Sequence, residues 1–373
     1  MGIKWNWWLL IKLLVLIFVD MSRANIPMRS FLGDWLGLSP TGVSSHQATF
    51  ARFDELRGGP RLNINWVLKF ASEQRMRPAY DQFENTIGEA VIADNIGFNW
   101  IPGPVSLVYP VRQFGLRVGV APVRDFHYDY LKEYRDDFYE KIGEDRLAQR
   151  GLLSTVNFDF AFKPLSFFVL GLGVRYAYGV RELESRTIRG RDTTGFTTRS
   201  RLQSPGWIAG LMVLPFSRLS VGLECQSRMR FHGQDSFGVK GYPWWGQVVL
   251  DYQAAGELPS RIKLIAGMEA WAEFDSNFHN VVFVQTSVEH MMLNFVRLRY
   301  GFGLSPLCSD PAVHQIEALF GFGFTAGRYR VNLDGNLARE RLRADDFALP
   351  VEPEDIRVDE TRLILKTGVE YEF

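Results

Sequence analysis

The sequence has very little cysteine, and the two residues it has, Cys225 and Cys308, are far apart. That spacing suits neither a metal site nor a disulfide framework. Apolar runs are also scarce. The mean hydropathy of −0.08 leaves no room for the several stretches of about 20 apolar residues that a helical membrane protein needs. A transmembrane barrel is not excluded, because its strands alternate apolar and polar residues that average out.

Net charge and recognisable catalytic motifs are absent as well. The chain carries 42 basic and 42 acidic residues, so it lacks the basic footprint of a nucleic-acid-binding protein. Its 6 histidines are scattered without metal-ligand spacing. We find no Gly-x-Ser-x-Gly elbow and no phosphate-binding glycine loop. We therefore expect no enzyme activity, no cofactor, no metal and no nucleic-acid partner.

Aromatic residues and glycine are abundant instead. The chain has 29 Phe, 13 Tyr, 10 Trp and 34 Gly. Together with many short alternating segments, this composition indicates an all-β architecture.

The C-terminal segment 361–373 shows the alternation most clearly. One face reads Phe373, Tyr371, Val369, Thr367, Leu365, Leu363 and Thr361. The other face reads Glu372, Glu370, Gly368, Lys366, Ile364 and Arg362. A Lys or Arg facing lipid near the midplane costs roughly 2–4 kcal/mol, so the first face is expected to meet the membrane. Similar alternation recurs at 167–180, 293–305, 313–325 and 329–341.

The spacing of these segments predicts a transmembrane antiparallel β-barrel of about 14 strands over residues 60–373. Connections are short at one end and mostly longer at the other, as in barrels with tight periplasmic turns, so both termini are expected in the periplasm. The expected strands lie near 60–72, 86–100, 114–126, 152–162, 167–180, 200–213, 219–232, 241–253, 260–273, 278–290, 293–305, 313–325, 329–341 and 361–373.

The first 24 residues read as a signal peptide. Lys4 and Lys12 precede an apolar run, and Ser22-Arg23-Ala24 offers small residues at the cleavage positions, which predicts a cut before Asn25. An uncleaved anchor helix is the alternative. Residues 25–59 then precede the barrel with seven large apolar side chains. We expect a plug folded into the lumen, with a flexible periplasmic tail as the alternative.

Several short patterns resemble the FadL/TodX family of outer-membrane transporters for long-chain fatty acids and hydrocarbons. Tyr109-Pro110 precedes a strand that begins Phe114-Gly115-Leu116, and YRVNLDG at 329–335 is similar to a late strand of the family. The resemblance implies 14 strands, an N-terminal plug and outer loops with helices. It also implies that the terminal Phe373 is read by the barrel-assembly machinery.

Residues 126–142 are predicted to form a helix in the first long outer loop. Phe126, Tyr130, Tyr134 and Phe138 recur every fourth residue and would form one apolar stripe. The resemblance implies that this region helps bind an apolar substrate. Packing of the stripe on the barrel rim is the alternative.

Arginines on the expected lumen face are candidates for binding a carboxylate head group. Arg297, Arg299 and Arg330 are the best placed, with a purely structural ladder of paired charges as the alternative. A set of aromatic residues near strand ends is expected to form interfacial aromatic girdles. That set is Trp207, Trp244, Trp245, Trp271, Tyr371 and Phe373.

These expectations favour passive uptake of a small hydrophobic substrate, such as a long-chain fatty acid, across the outer membrane of a Gram-negative bacterium. The expected partners are the lipid bilayer, lipopolysaccharide and the hydrophobic molecule itself. A scaffold or docking barrel is the alternative function, and an outer-membrane lipid hydrolase is the weakest one.

Overall fold

The computed structural model describes residues 34–35, 59–136, 138, 140–231, 240–256, 258–273, 278–293, 295–308, 311–343 and 357–373. The signal peptide predicted at 1–24 lies outside these residues, and so does the plug predicted at 25–59 apart from Asp34, Trp35 and Gly59.

Strands dominate the described chain, and one turn of 3-10 helix at Trp271–Glu273 interrupts them. No helix among the described residues is long and apolar enough to cross a membrane. The strands are β1 (Asp34–Trp35), β2 (Arg61–Tyr80), β3 (Thr86–Val111), β4 (Phe114–Asp125), β5 (Tyr128–Arg135), β6 (Lys141–Leu165), β7 (Phe168–Arg189), β8 (Asp192–Phe216), β9 (Leu219–Gln226), β10 (Met229–Arg230), β11 (Gly241–Tyr242), β12 (Trp245–Ala254), β13 (Ser260–Glu269), β14 (Val281–Met292), β15 (Val296–Pro306), β16 (His314–Ala326), β17 (Tyr329–Arg343) and β18 (Arg357–Glu372).

Within the described residues, 14 of these strands close into one antiparallel barrel, which confirms the predicted fold class. Neighbours in the barrel follow chain order, and β18 pairs with β2 to close the ring. The other four are accessory. β5 continues β4 along β6, β10 and β11 form a small hairpin, and β1 pairs with the end of β4.

The first and last residues of the barrel lie next to each other, on the side of the barrel where the turns between strands are short. The amide of Phe373 donates to the carbonyl of Pro60 over 2.9 Å, and the amide of Gly59 donates to the carboxylate of Glu372 over 2.8 Å. Tight turns such as Gly327–Arg328 close this end, which we call the periplasmic end.

Alternation along each strand separates a lipid face from a lumen face. On β17, Tyr329, Val331, Leu333 and Leu337 are exposed, whereas Asp334, Asn336, Ala338 and Glu340 are buried in the lumen. The apolar set spans 329–337, which at about 3.4 Å per residue and a tilt of ~40° makes a band about 23 Å tall. This matches the apolar core of an outer membrane.

The helix predicted over 126–142 is wrong. Tyr128–Arg135 is strand β5, and it pairs with the first residues of β6 from Tyr128↔Gln149 to Arg135↔Lys141. A spacing of four suits a helix of 3.6 residues per turn, but four is also an even number. An even spacing keeps all members on one face of a strand, so the same stripe fits both structures.

Two predicted long outer connections, 127–151 and 181–199, are also wrong, because strands fill most of them. β6 and β8 each run for 25 residues and β7 for 22, with a tight turn at Gly190–Arg191 between β7 and β8. These strand extensions lie beyond the apolar band, so neither of their two faces contacts lipid. They therefore lack the apolar alternation that marks a strand in the membrane.

At Gly151, the strand that pairs with β6 changes from β4 to β5. The carbonyl of Gly151 accepts the amide of Phe126 over 3.1 Å, and its φ is +131°. A Cβ at this position would collide with the carbonyl oxygen of Val180 on the neighbouring strand. Only glycine fits this backbone conformation.

Gly151→Val is therefore expected to destabilise the folded barrel. Backbone strain of this kind contributes about 1–3 kcal/mol, and the overlap with Val180 adds to it. The folded barrel migrates faster in gel electrophoresis than the unfolded chain. The measurement is the temperature to which samples must be heated before electrophoresis for the faster band to disappear. Gly97→Ala is the matched control, because a Cβ at Gly97 meets no atom within 4 Å. Equal transition temperatures for the two variants would contradict the assignment.

Candidate functional site

Paired charges line the lower lumen, the half nearer the periplasmic end. Asp159 accepts from Arg117 and lies 3.2 Å from Arg175, while Asp251 lies 2.6 Å from Arg261. These carboxylates are at most 5% exposed. Buried charges require such partners, because an unpaired one carries a large desolvation penalty. The pairs make this half of the lumen a polar interior.

The candidate arginines belong to the same network. Arg299 is 2% exposed and bonds to Asp334 at 2.9 Å and to the carbonyl of Phe322 at 3.1 Å. Arg330 pairs with Glu370 at 3.1 Å, and Arg297 is half-buried on the same lumen face of β15. This geometry favours the structural ladder for Arg299 and Arg330. Their role in binding a carboxylate head group stays a prediction.

The predicted aromatic stripe is divided between two places. Phe126 and Tyr130 are 0% and 1% exposed and face the lumen in its outer half, whereas Phe138 is 85% exposed in the turn after β5. Tyr134 lies between them and donates to Asp145 over 2.6 Å. The structure thus brings Phe126 and Tyr130 to the lumen but keeps them apart from the three arginines, which lie near the periplasmic end.

Asp145 anchors the part of this hairpin that extends beyond the membrane band. Burial by itself raises the pKa of Asp145, but hydrogen bonds from Arg189 and Tyr134 bring the pKa below its ordinary value of 3.8. The Arg189 guanidinium also lies 3.8 Å from the centre of the Tyr134 ring. Tyr134 is therefore held in place by the outer hairpin.

An apolar group of residues that we call the lumen cluster crosses the outer half of the barrel. Most members are below 10% exposed, and they come from strands on many sides of the lumen. The cluster consists of Phe126, Leu153, Ala177, Leu202, Met229, Tyr242, Trp271 and Val281, with Phe231, Phe278 and Cys308 packed against it.

Four rings in the lumen cluster pack edge to face in a row. The ring centres of Phe231 and Tyr242 are 5.5 Å apart, those of Tyr242 and Trp271 are 6.0 Å apart, and those of Trp271 and Phe278 are 6.0 Å apart. The Arg124 guanidinium lies 4.8 Å from the centre of the Tyr242 ring. Such a surface favours flat or flexible apolar ligands, because it offers ring faces and edges rather than hydrogen-bond donors.

Sequence reasoning missed the lumen cluster and wrongly placed Trp271, one of its members, and Trp245. Trp271 and Trp245 were expected in the interfacial girdle, but they are 3% and 2% exposed and lie inside the barrel. Counting alternate residues from Lys263 along β13 puts Trp271 on the lumen face, so strand parity was the signal. Trp207 and Phe373, at 53% and 56% exposed, do lie on the outer surface.

The barrel wall is incompletely paired between β3 and β4. Their ladder runs only from Val111↔Phe114 to Val105↔Val120, although β3 continues in the ladder with β2 to Thr86. Beyond Val120, β4 shifts register against β6 and ends in buried residues that lead to Phe126. We call this gap the seam. It lies between residues 86–104 of β3 and residues 121–129 of β4 and β5.

The seam opens within the apolar band and touches the N-terminal segment. Phe98 and Trp100 on β3, beside the seam, are 52% and 55% exposed on the lipid side. Trp35 pairs with Arg124 and Asp34 pairs with Asp125, on the edge of β4 that β3 leaves free. Apart from Gly59, this dipeptide is the described part of the predicted plug, and it reaches the seam.

A serine–histidine contact joins β13 and β14. Ser260 Oγ lies 2.7 Å from His290 Nδ1, and His290 Nε2 lies 2.8 Å from the hydroxyl of Tyr300. A phenol occupies the position where a carboxylate would stabilise an imidazolium. Within the described ranges, no group of three or more His, Cys, Asp or Glu residues is placed to hold a metal ion.

Several solved structures share this architecture. They include a FadL homologue of Pseudomonas aeruginosa, with 12% identity and a TM-score of 0.61 over 95% of this chain and 100% of that one. The toluene transporter TodX of Pseudomonas putida has 10% identity and a TM-score of 0.62 over 95% and 99%. The monoaromatic hydrocarbon channel CymD has 9% identity and a TM-score of 0.53 over 95% and 95%.

At these identities the match shows a common fold. TodX is described as a toluene transporter and CymD as a monoaromatic hydrocarbon channel. No protein-family model and no curated protein matches the sequence. The 14-stranded barrel that the FadL/TodX resemblance implies is therefore confirmed by structure rather than by sequence.

Proposed function

We propose that the chain is an outer-membrane channel for passive uptake of small hydrophobic molecules, such as a long-chain fatty acid. The seam is the observation that supports this function most directly. It gives the lumen a side exit at the level of the apolar membrane core, beside Phe98 and Trp100. A molecule that leaves there moves from one apolar environment to another and never has to enter water.

The proposed route begins at the outer mouth and passes over the lumen cluster. Phe126 lies in the cluster and directly follows the last residues of β4, so the cluster and the seam adjoin. Passage straight down the barrel is unfavourable, because an apolar molecule would have to displace ion pairs such as Arg299–Asp334. The side exit avoids that cost.

Transport on this route runs down a concentration gradient. The sequence contains no energy-coupling motif, and the N-terminal segment, which reaches the seam at Asp34–Trp35, is the proposed gate. Similar structures described as a toluene transporter and a monoaromatic hydrocarbon channel support the same class of cargo. Phe373, exposed at the periplasmic end, is the proposed contact for the barrel-assembly machinery, and lipopolysaccharide is the proposed neighbour at the outer end.

Uptake by whole cells tests the function, because the outer membrane is the barrier that matters. Gram-negative cells that lack their own long-chain fatty-acid transporter are expected to take up labelled fatty acid or toluene several-fold faster when they make this chain. Uptake of a sugar of similar mass serves as the control and is expected to stay unchanged. Equal uptake of the hydrophobic compounds with and without the chain would favour the scaffold alternative.

A further inference from the structure

Side chains, not backbone, join the two edges of the seam. Asp125 at the end of β4 binds Lys69 of β2 through one carboxylate oxygen, at 2.8 Å from Nζ. Its other oxygen accepts from Asn99 of β3 at 3.1 Å and from the amide of His127 at 3.2 Å. Lys69 also donates to the carbonyl of His127 over 3.3 Å. Asp125 is thus the point where three strands meet.

Further bonds continue this pattern towards the outer end. The hydroxyl of Tyr128 on β5 donates to Glu73 of β2 over 3.1 Å. The amide of Asn95 on β3 donates to the carbonyl of Asp129 over 3.2 Å. Each contact runs from β2 or β3 to β4 or β5, across the seam.

The pair of Lys69 and Asp125 is the most buried of these contacts, at 4% and 1% exposed. Charge-assisted bonds in such a site are strong, because water does not compete for them. Breaking them disturbs no ladder, since β3 keeps its pairing with β2 and β4 keeps its pairing with β6. Above Val105 and Val120, β3 and β4 can therefore separate without losing a hydrogen bond of the β3–β4 ladder.

We propose that Lys69 and Asp125 form a latch that sets how readily the seam opens, and that they are positioning residues for release of the cargo into the membrane. The consequence for uptake rests on the function proposed above, whereas the opening of the seam does not. Hydrogen bonds to charged groups shift an equilibrium by roughly ten- to hundredfold. Loss of the latch is expected to raise the open fraction of the seam on that scale.

The test measures the width of the seam directly. Spin labels are attached at Phe98→Cys and Asp129→Cys in the full chain, with Cys225 and Cys308 replaced by serine. Distances are compared between the parent and the double variant Lys69→Met with Asp125→Leu, which replaces both charges by apolar side chains of similar length. Asp125→Asn serves as a milder variant. We expect the distance distribution to broaden towards longer values and cellular uptake to rise several-fold.

An ion pair within a complete ladder provides the matched control. Arg362 and Glu340 lie 3.4 Å apart on β18 and β17, at 3% and 2% side-chain exposure, and these strands are paired along their whole length. Arg362→Met with Glu340→Leu is expected to leave the distances across the seam and the uptake unchanged.

The outcomes separate the latch from the proposed function. Unchanged distances in a folded double variant would overturn the latch, whatever the uptake does. Broader distances with unchanged uptake would support the latch and contradict the seam as the exit route. If Asp125→Asn fails to fold because Lys69 is left without its carboxylate, the double variant decides.

Discussion

Joining Asn95→Cys on β3 to Asp129→Cys on β5 with a short, cleavable bismaleimide is expected to reduce uptake to the level of cells without the chain. The two residues adjoin across the seam, where the side-chain amide of Asn95 lies 3.2 Å from the carbonyl of Asp129. A covalent bridge there keeps β3 and β5 together while the lumen and its cluster stay intact. Reduction of the linker is expected to restore uptake.

A second bridge, placed in the ladder just below the seam, is the control. Val105 and Val120 form the last paired row of β3 and β4, and both are exposed on the lipid side. Joining Val105→Cys to Val120→Cys adds the same reagent where the strands do not separate, so uptake is expected to stay unchanged. Full uptake with the upper bridge in place would exclude the seam as the exit.

Truncating two rings of the lumen cluster is expected to open the barrel to ions. Tyr242 and Trp271 are 5% and 3% exposed and stand side by side in the row of four rings. Tyr242→Ala with Trp271→Ala removes on the order of 150–250 Å² of buried surface per ring. In planar bilayers, the unchanged chain is expected to show no resolved conductance steps and the double variant discrete ones.

The control for this experiment removes rings of similar size from the lipid side. Tyr176 and Trp207 are 45% and 53% exposed on β7 and β8. Tyr176→Ala with Trp207→Ala should leave the conductance unchanged, because neither ring reaches the lumen. If the Tyr242→Ala and Trp271→Ala double variant shows no conductance steps, the lumen cluster is not the barrier to ions.

The barrel itself was predictable because the membrane imposes a period of two on every residue in the apolar band. Lys366 and Arg362 cannot face lipid, so the register of β18 followed from the sequence, and the lumen exposure pattern agrees with it. Beyond the apolar band, the membrane no longer imposes this alternation on the strands. Arg186 and Thr197 lie on strands whose two faces are both polar, and this part of the chain resembled a loop.

The candidate site was predictable only in part, for a different reason. Phe126 and Tyr130 were identified as an apolar stripe, but the spacing of four fitted a helix as well as a strand. The seam depends on where a ladder ends, and pairing between β3 and β4 leaves no trace in either sequence alone. The bond between Lys69 and Asp125 joins residues 56 positions apart through that missing ladder.

The unequal strand lengths tilt the rim of the barrel. β6 and β8 run for 25 residues, whereas β12 and β13 on another part of the wall run for 10. At about 3.4 Å per residue and a tilt of ~40°, the taller wall stands roughly 40 Å above the lower one. We infer that the mouth of the barrel is lower beside the described strands β12 and β13 than beside β6 and β8. A hydrophobic molecule that approaches along the outer leaflet is expected to meet the lower wall at β12 and β13. A large particle that arrives from the medium is expected to meet the taller wall at β6 and β8 first.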